Sequence, residues 1–350
     1  MDCSHDPDYP PHDAMTDPAS SPVRDYARSV VGRELRRLGA EGPVPGGKPS
    51  VAAVLVSFNK REFVRLNLAA IHRQSVPFEQ IIVVDNCSSD GSIEMIRAEW
   101  PKSVHLVVMP HSRFGACETF NIGFKLATTD YIAILDDDVV LPDHWVERML
   151  EKAATEPPTT AMISSKVHEP EEPEWYANHP EVNRERYMAT FRGCATLARR
   201  DVLEACGYYD EAFFIYGNER DLAARVLNAG CRILQYPAVV VEHGTPFGMK
   251  AGRRSLYYHI RNMWWYFFKH VALWQIVWFF AMQVLLKLRL RRESLKADAI
   301  GSIGIYRVIA ETPGGWSVVF KATFDAFRGL PRCLRERRVC VHPDFSLPTK

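Results

Sequence analysis

Tyr131-Ile132-Ala133-Ile134-Leu135-Asp136-Asp137-Asp138 is the stretch on which the reading of this chain turns. An apolar run that ends abruptly in three carboxylates reads as a buried strand delivering negative charge to the edge of a sheet. In open α/β sheets the ligand crevice lies beyond the carboxyl ends of the strands. Like charges held this close destabilise one another unless something positive neutralises them. A hard divalent cation, which prefers oxygen ligands, is the natural neutraliser. The alternative is a solvated loop after a strand.

The segments upstream repeat the pattern. Residues 51–56 form a continuous apolar run, the mark of a strand covered on both faces, and end at Ser57-Phe58-Asn59. Asn59 with Glu62 resembles a capping box ahead of an amphipathic helix over 63–73. A second strand, 81–84, ends in Asp85-Asn86, and Ser88 to Ser92 turn the chain into a helix over 93–100. A third strand over 104–109 and a helix over 118–127 precede the strand ending at Asp136. Strand and helix alternate with polar residues at each strand's carboxyl end, which predicts an α/β fold with parallel crossovers. Neither G-x-G-x-x-G after the first strand nor G-x-x-x-x-G-K-[ST] is present. That argues against a dinucleotide oxidoreductase and a P-loop ATPase. A bound nucleotide would rest on side chains, strand-end backbone and metal.

Downstream, Pro142 opens a helix to about residue 154. The polar stretch 156–186 reads as loop broken by a short strand at 161–165, with the acids of 169–174 as solvated surface. A strand over 191–197 and a helix over 201–206, stopped by Gly207, follow. Asn218 can cap a helix over 219–229, which puts Glu219 in a first turn that favours its anionic form. The last strand, 233–241, ends in Glu242-His243-Gly244.

Composition sets the outer bounds. The chain has 350 residues, 47% hydrophobic and 24% charged, with a formal net charge of +1, so no overall charge argues for nucleic acid. Its eight cysteines are scattered without a C-x-x-C pair, which fits a reduced, cytoplasmic compartment. The N-terminal stretch lacks the apolar core of a secretory leader. Residues 1–48 read as tail and linker, with a short helix over 24–38.

The assembled pieces resemble family 2 glycosyltransferases, and the rhamnosyltransferase-like branch in particular. They are Val56-Ser57-Phe58-Asn59, Val84-Asp85-Asn86-x-Ser88-x-Asp90-Gly91-Ser92, Asn121-x-Gly123 and Leu135-Asp136-Asp137-Asp138-x-x-x-Pro142. They continue with Gly207-x-x-Asp210-Glu211-x-Phe213-Phe214-x-Tyr216, Glu219-x-Asp221-Leu222-x-x-Arg225, His243 and Tyr257-Tyr258-x-x-Arg261-Asn262. The resemblance spans about residues 51–265. It implies the A-type glycosyltransferase fold, a mostly parallel sheet with helices on both faces, over 49–255, with a helical extension over 256–350. It also implies a nucleotide-diphospho-sugar donor (UDP- or dTDP-linked, rhamnose among the sugars), a saccharide, lipid-linked or small-molecule acceptor, Mn2+ or Mg2+, and inversion. By position, Ser57, Asn59, Asp85, Asn86 and Asn121 belong with the donor, and Asp85 with its pyrimidine. Asp136 and Asp137 lie near ribose and sugar, and Asp138 and His243 hold the metal. Glu219 is the expected base, with Asp221 and Asp210 as lesser candidates, because Asn218-Glu219 replaces the family's usual Glu-Asp pair. Arg225 is followed by Val226-Leu227-Asn228 rather than the Q-x-x-R-W of processive synthases, which favours adding one sugar or a few.

Lys250, Arg253 and Arg254 are either cations for the diphosphate or a solvated basic loop. The competing readings are a sugar nucleotidyltransferase, which wants a Gly-rich loop after the first strand, and an inactive carbohydrate-binding scaffold. The aromatic stretch 264–292 contains 16 uncharged residues, 271–286, followed by K-L-R-L-R-R over 287–292. It suits a helix lying peripherally on the inner face of the cell membrane, a core helix, or a homodimer interface.

Overall fold

A computed structural model describes residues 49–289 and 305–347; side-chain placement at 282–289 and at 306 is outside it. The tail over 1–48, its expected helix, and residues 290–304 lie outside the described residues.

Four parallel strands build the first half of the sheet: β1 (Val51–Ser57), β2 (Gln80–Asp85), β3 (His105–Val108) and β4 (Tyr131–Leu135). β5 (Val139–Val140), β6 (Thr160–His168), β7 (Arg186–Tyr187), β8 (Ala195–Arg199) and β9 (Arg232–His243) complete nine strands. The order is β3-β2-β1-β4-β8-β6-β9-β5, with β7 also on β9. β8 runs antiparallel to β4 and β6, and the two-residue strands β5 and β7 run antiparallel to β9; β6 and β9 are parallel to each other. The sheet is mixed: its long strands except β8 share one direction, as expected, while β5, β7 and β8 run the other way.

Why the strands are apolar throughout is visible in the packing. Along β1, Ala52 and Val54 face one core while Val51, Ala53 and Leu55 face the other. Ile132 and Ile134 of β4 join the first, and Ala133 and Leu135 the second. The second core is closed by α1 (Arg61–His72), α2 (Ser92–Glu99) and α4 (Trp145–Thr155). The first is closed by α3 (Ala116–Leu126) and α8 (Asn218–Asn228), and reached by Trp265 of α9 (Arg253–His270). A Cβ at Gly123 would collide with Val54, so this glycine lets α3 lie close on β1.

Three local expectations change. Asn59 does not cap α1: its Oδ1 accepts from Ser89 N at 2.8 Å, and Asp90 Oδ2 accepts from Arg61 N at 2.8 Å instead. The cap comes from the neighbouring strand's loop, which no local motif encodes. Helix α8 begins at Asn218, after Gly217 in the left-handed region at φ 74°. The stretch 156–186 is more ordered than loop: β6 runs to His168, and α5 (Glu174–Ala177) and α6 (Pro180–Asn183) follow.

The boundary expected at 255/256 falls inside α9. Beyond it come α10 (Leu273–Arg289), α11 (Ile305–Glu311), α12 (Gly315–Arg328) and α13 (Leu330–Arg335); α7 (Arg200–Ala205) precedes α8. Trp265 Nε1 donates to Ala326 O at 3.1 Å, tying α9 to α12. No described helix is long and apolar enough to cross a membrane.

Candidate active site

The acids after β4 meet His243 at the end of β9. Short β5 follows the acid triplet and pairs antiparallel with β9, matching Val139 to His243. Ligand atoms of Asp136, Asp138 and His243 lie within 4.8 Å of one another. His243 Nε2 is 3.1 Å from Asp138 Oδ1 and 3.7 Å from Asp136 Oδ2. Gly244 N donates to the Asp138 carbonyl at 2.7 Å, and Thr245 Oγ1 to Asp138 Oδ2 at 2.7 Å.

The charges show how tightly the site is strung. Burial pushes Asp136 up to about 7, against the pull of His243. Burial also raises Asp137, although Lys60 pulls it down. At Asp138 burial is outweighed by His243 and Lys60, which hold its carboxyl well below the usual range. Burial disfavours a charged His243 ring, yet hydrogen bonds to Asp138 and Glu169 push it up to about 10.

These residues fit a divalent cation. Two carboxylates and an imidazole converge, a donor set suited to Mn2+. Asp138 Oδ1 is buried, and its polar neighbour is His243 Nε2 at 3.1 Å. A cation held by Asp138, His243 and Asp136 would satisfy that oxygen and displace the proton from His243.

Two side chains here escaped sequence reasoning. Lys60 Nζ donates to Asp137 Oδ1 and Asp138 Oδ2, both at 2.9 Å. Glu169, read above as solvated surface, lies 3.0 Å from His243 Nδ1. A carboxylate there fixes the ring so that Nε2 faces the acids. The available signal was positional: Glu169 directly follows β6, at a sheet end like the other acids.

The donor candidates divide. Ser57 and Asp85 are opposite one another in the β1–β2 register, and both are fully buried. Asp85 accepts from Ser88 N at 2.7 Å and Ser88 Oγ at 2.8 Å, so its carboxylate is closed by that loop and reaches a base only if Ser88 turns away. Burial raises its pKa. Asn59 joins the first two strand-end loops, its N donating to Ser88 Oγ at 2.9 Å. Asn86 Nδ2 donates to Phe114 O at 3.0 Å, while its Oδ1 is buried without a partner. Asn121 stands apart. Its amide donates to Tyr209 O and Glu211 Oε1 and accepts from Tyr209 N, clamping α3 to the turn over 209–211.

The base candidates also divide. Glu219 packs against Gly193, where a Cβ would come 2.7 Å from Glu219 Oε1. Burial raises its pKa, and its charge in turn raises that of Asp136. Asp221 points the other way and is wholly buried. It accepts from Arg225 at 2.7 Å and lies 2.7 Å from Lys269 Nζ and 2.9 Å from His270 Nε2. Arg225 and its other partners hold it well below the carboxylate range against burial. Asp210 is bound at 2.6 Å by Arg332 and at 2.9 Å by Lys269. Both are fastened to the C-terminal helices, whereas Glu219 has no such ion pair among the described residues.

The turn ahead of Glu219 is strained and externally held. Phe214 (φ 67°, ψ −61°) centres a γ-turn in which Ile215 N donates to Phe213 O at 2.8 Å, and Tyr216 also has φ 63°. Asn262 Nδ2 contacts Phe213 O, Ile215 O and Tyr216 O at 3.0, 2.8 and 2.7 Å. Arg261 donates to Ala212 O and Phe213 O, each at 2.9 Å. The Arg261-Asn262 pair on α9 is thus the device that aims α8. Of the loop cations, Arg253 donates to Pro313 O and Arg254 lies over the Phe214 ring; Lys250 is exposed.

Comparison with known proteins fits this geometry. Residues 52–213 match the model described as glycosyl transferase family 2. A pre-mycofactocin glycosyltransferase of Mycobacterium tuberculosis is 27% identical over 241 residues, covering 63% of this chain and 49% of that protein. Chondroitin synthase of Escherichia coli is 20% identical over 280 residues, 68% of this chain and 40% of that one. The chain spans about half or less of each of these relatives. Among solved structures, mannosyltransferase PcManGT from Pyrobaculum calidifontis, in complex with GDP-Man and Mn2+, superposes with a TM-score of 0.52 at 17% identity, covering 90% and 82% of the two chains. GalNAc-T7 with UDP, GalNAc and Mn2+ gives the same score at 12% identity, covering 66% and 49%. The chain carries a family 2 glycosyltransferase domain over residues 52–213, built on the A-type glycosyltransferase fold.

Proposed function

We propose that the chain transfers a sugar from a nucleotide-diphospho-sugar to an acceptor hydroxyl in one inverting displacement, with Glu219 as general base. The observation that carries this is the split among the acids. Asp136, Asp138 and His243 converge as a cation site, while Glu219 alone of the base candidates is free of an ion pair among the described residues. Burial favours its protonated form, which suits a carboxylate that takes a proton from a hydroxyl.

A cation bound at Asp138 and His243 would supply Lewis-acid stabilisation of the leaving diphosphate. The remaining work belongs to side chains. Lys60, on the acids already, adds positive charge where the diphosphate oxygen becomes anionic. Glu169 orients His243. Asp85 and Asn59 hold the nucleotide-side loops together through Ser88. The sheet end that carries them leaves open which base is bound, and the two solved relatives differ in it, one with GDP-Man and one with UDP. We infer a pyrimidine donor, UDP- or dTDP-linked, with rhamnose among the sugars, and Mn2+ as the cation ahead of Mg2+.

The test is a panel of nucleotide sugars with Mn2+, read as nucleoside diphosphate release. Glu219→Gln should abolish release while nucleotide affinity persists. Pyrophosphate as the product, or turnover by Glu219→Gln, overturns the assignment.

A further inference from the structure

Among the described residues, most exposed large hydrophobic side chains lie beyond residue 270, and the majority of those sit on two helices. On α12, Trp316, Phe320, Phe324 and Phe327 are 60, 72, 65 and 48% exposed, while Val318, Ala322, Asp325 and Ala326 of the same helix face inward. On α10, Leu273, Trp274, Val277 and Trp278 are 72, 69, 64 and 58% exposed, with Phe279 turned in. Both helices touch Trp264: Phe327 lies 5.6 Å from its ring, and Phe280 stacks on it at 5.2 Å. Soluble surfaces rarely present two apolar helix faces of this kind without an occupant.

Charge identifies the occupant. Between Glu242 and Glu293 the sequence has no Asp or Glu. The single acid of α12, Asp325, is buried and accepts from Tyr257 and Lys321 at 2.9 and 2.8 Å. Neither exposed face therefore carries a negative charge. In sequence, the apolar residues of α10 are followed by Lys287, Arg289, Arg291 and Arg292, and on α12 the exposed Arg328 follows Phe327. Tryptophans at the edge of an apolar face, flanked by Lys and Arg and without acids, match the boundary of an anionic bilayer. Neither helix crosses it; at about 1.5 Å per residue they lie along it.

We propose that α10 and α12 together seat the protein on the surface of an anionic membrane, with the Trp316–Phe327 face as the half that the sequence did not disclose. This goes beyond the transfer reaction and stands whether or not that reading holds.

The test uses the full chain and vesicles of equimolar phosphatidylcholine and phosphatidylglycerol, read by flotation and by tryptophan emission. The protein should float with these vesicles, shift its emission to the blue, and release as salt rises. Phe320→Ser with Phe324→Ser removes side chains that contribute little to the core, so folding is retained and partitioning falls at least about tenfold. Three results overturn the proposal: no flotation with anionic vesicles, unchanged partitioning in the double variant, or a dimer by light scattering that the double variant dissolves without any vesicle binding.

Discussion

Asn262→Ala isolates the turn that aims Glu219. Asn262 Nδ2 serves three carbonyls, but Phe213 O keeps its bond from Arg261. Ile215 O and Tyr216 O lose the amide in the variant. At about 1–3 kcal/mol for each buried group left unsatisfied, offset by partial relaxation, the expected destabilisation is about 2–4 kcal/mol. The turn also contains two residues with positive φ, Phe214 and Tyr216, each costing on the order of 1–3 kcal/mol unless the surroundings impose it. Without Asn262 the turn relaxes, and Glu219, three residues past Tyr216, is displaced. A displacement of about 1 Å at a catalytic group costs on the order of a hundredfold, so kcat should fall by about that factor. Nucleotide affinity should not change, because β1, β2 and β4 build that part of the site. Urea unfolding gives the stability loss; steady-state kinetics and nucleotide titration with Mn2+ give the rest. Asn262→Asp is the sharper control. It is nearly isosteric, yet it points carboxylate oxygens at carbonyl oxygens, and it must fail at least as badly. Full turnover by either variant, or loss of nucleotide binding in step with kcat, refutes the reasoning.

Three further outcomes follow from the same geometry. Glu169→Gln keeps the size of the side chain but weakens its hold on His243 Nδ1, and Mn2+ affinity measured by calorimetry should fall about 10–100-fold. Gly193→Ala drives a methyl group to within 2.7 Å of Glu219 Oε1; kcat should drop while nucleotide affinity is kept, and equal losses in both would contradict it. In the metal-free protein His243 is held protonated up to about 10, and a metal ligand must be neutral. Mn2+ binding therefore expels a proton, and affinity should rise about tenfold per pH unit through the neutral range. Below about 7 Asp136 must shed a proton too, so the slope should steepen there. A flat profile from about pH 6 to 9 would exclude His243 as a ligand.

The sheet was legible because each strand states its environment locally. A continuous apolar run means two covered faces, and the alternation of Val51, Ala53 and Leu55 with Ala52 and Val54 between two cores is that statement in three dimensions. The triplet was legible for the complementary reason: charge at the end of such a run has nowhere to go but the sheet edge. What the sequence withheld was the partner of each acid. Asp210, Glu219 and Asp221 all sit near helix starts, where acids are common, and nothing local separates them. Their partners come from far along the chain. Lys269 and His270 reach Asp221 from α9, and Arg332 reaches Asp210 from α13. Glu169 was misread in the opposite direction, since a run of acids looks solvated until β9 brings His243 beside one of them. The C-terminal helices were hard to read because they do two jobs with one composition. Trp265, Tyr266 and Phe267 build core, while Trp274 and Trp278 face out, and only the hairpin between α9 and α10 sorts them. An acid in this fold is therefore defined by what surrounds it: His243 and Lys60 for Asp138, α9 for Asp221, and for Glu219 a burial that outweighs Arg220 and Asn218, the condition that suits the proposed base.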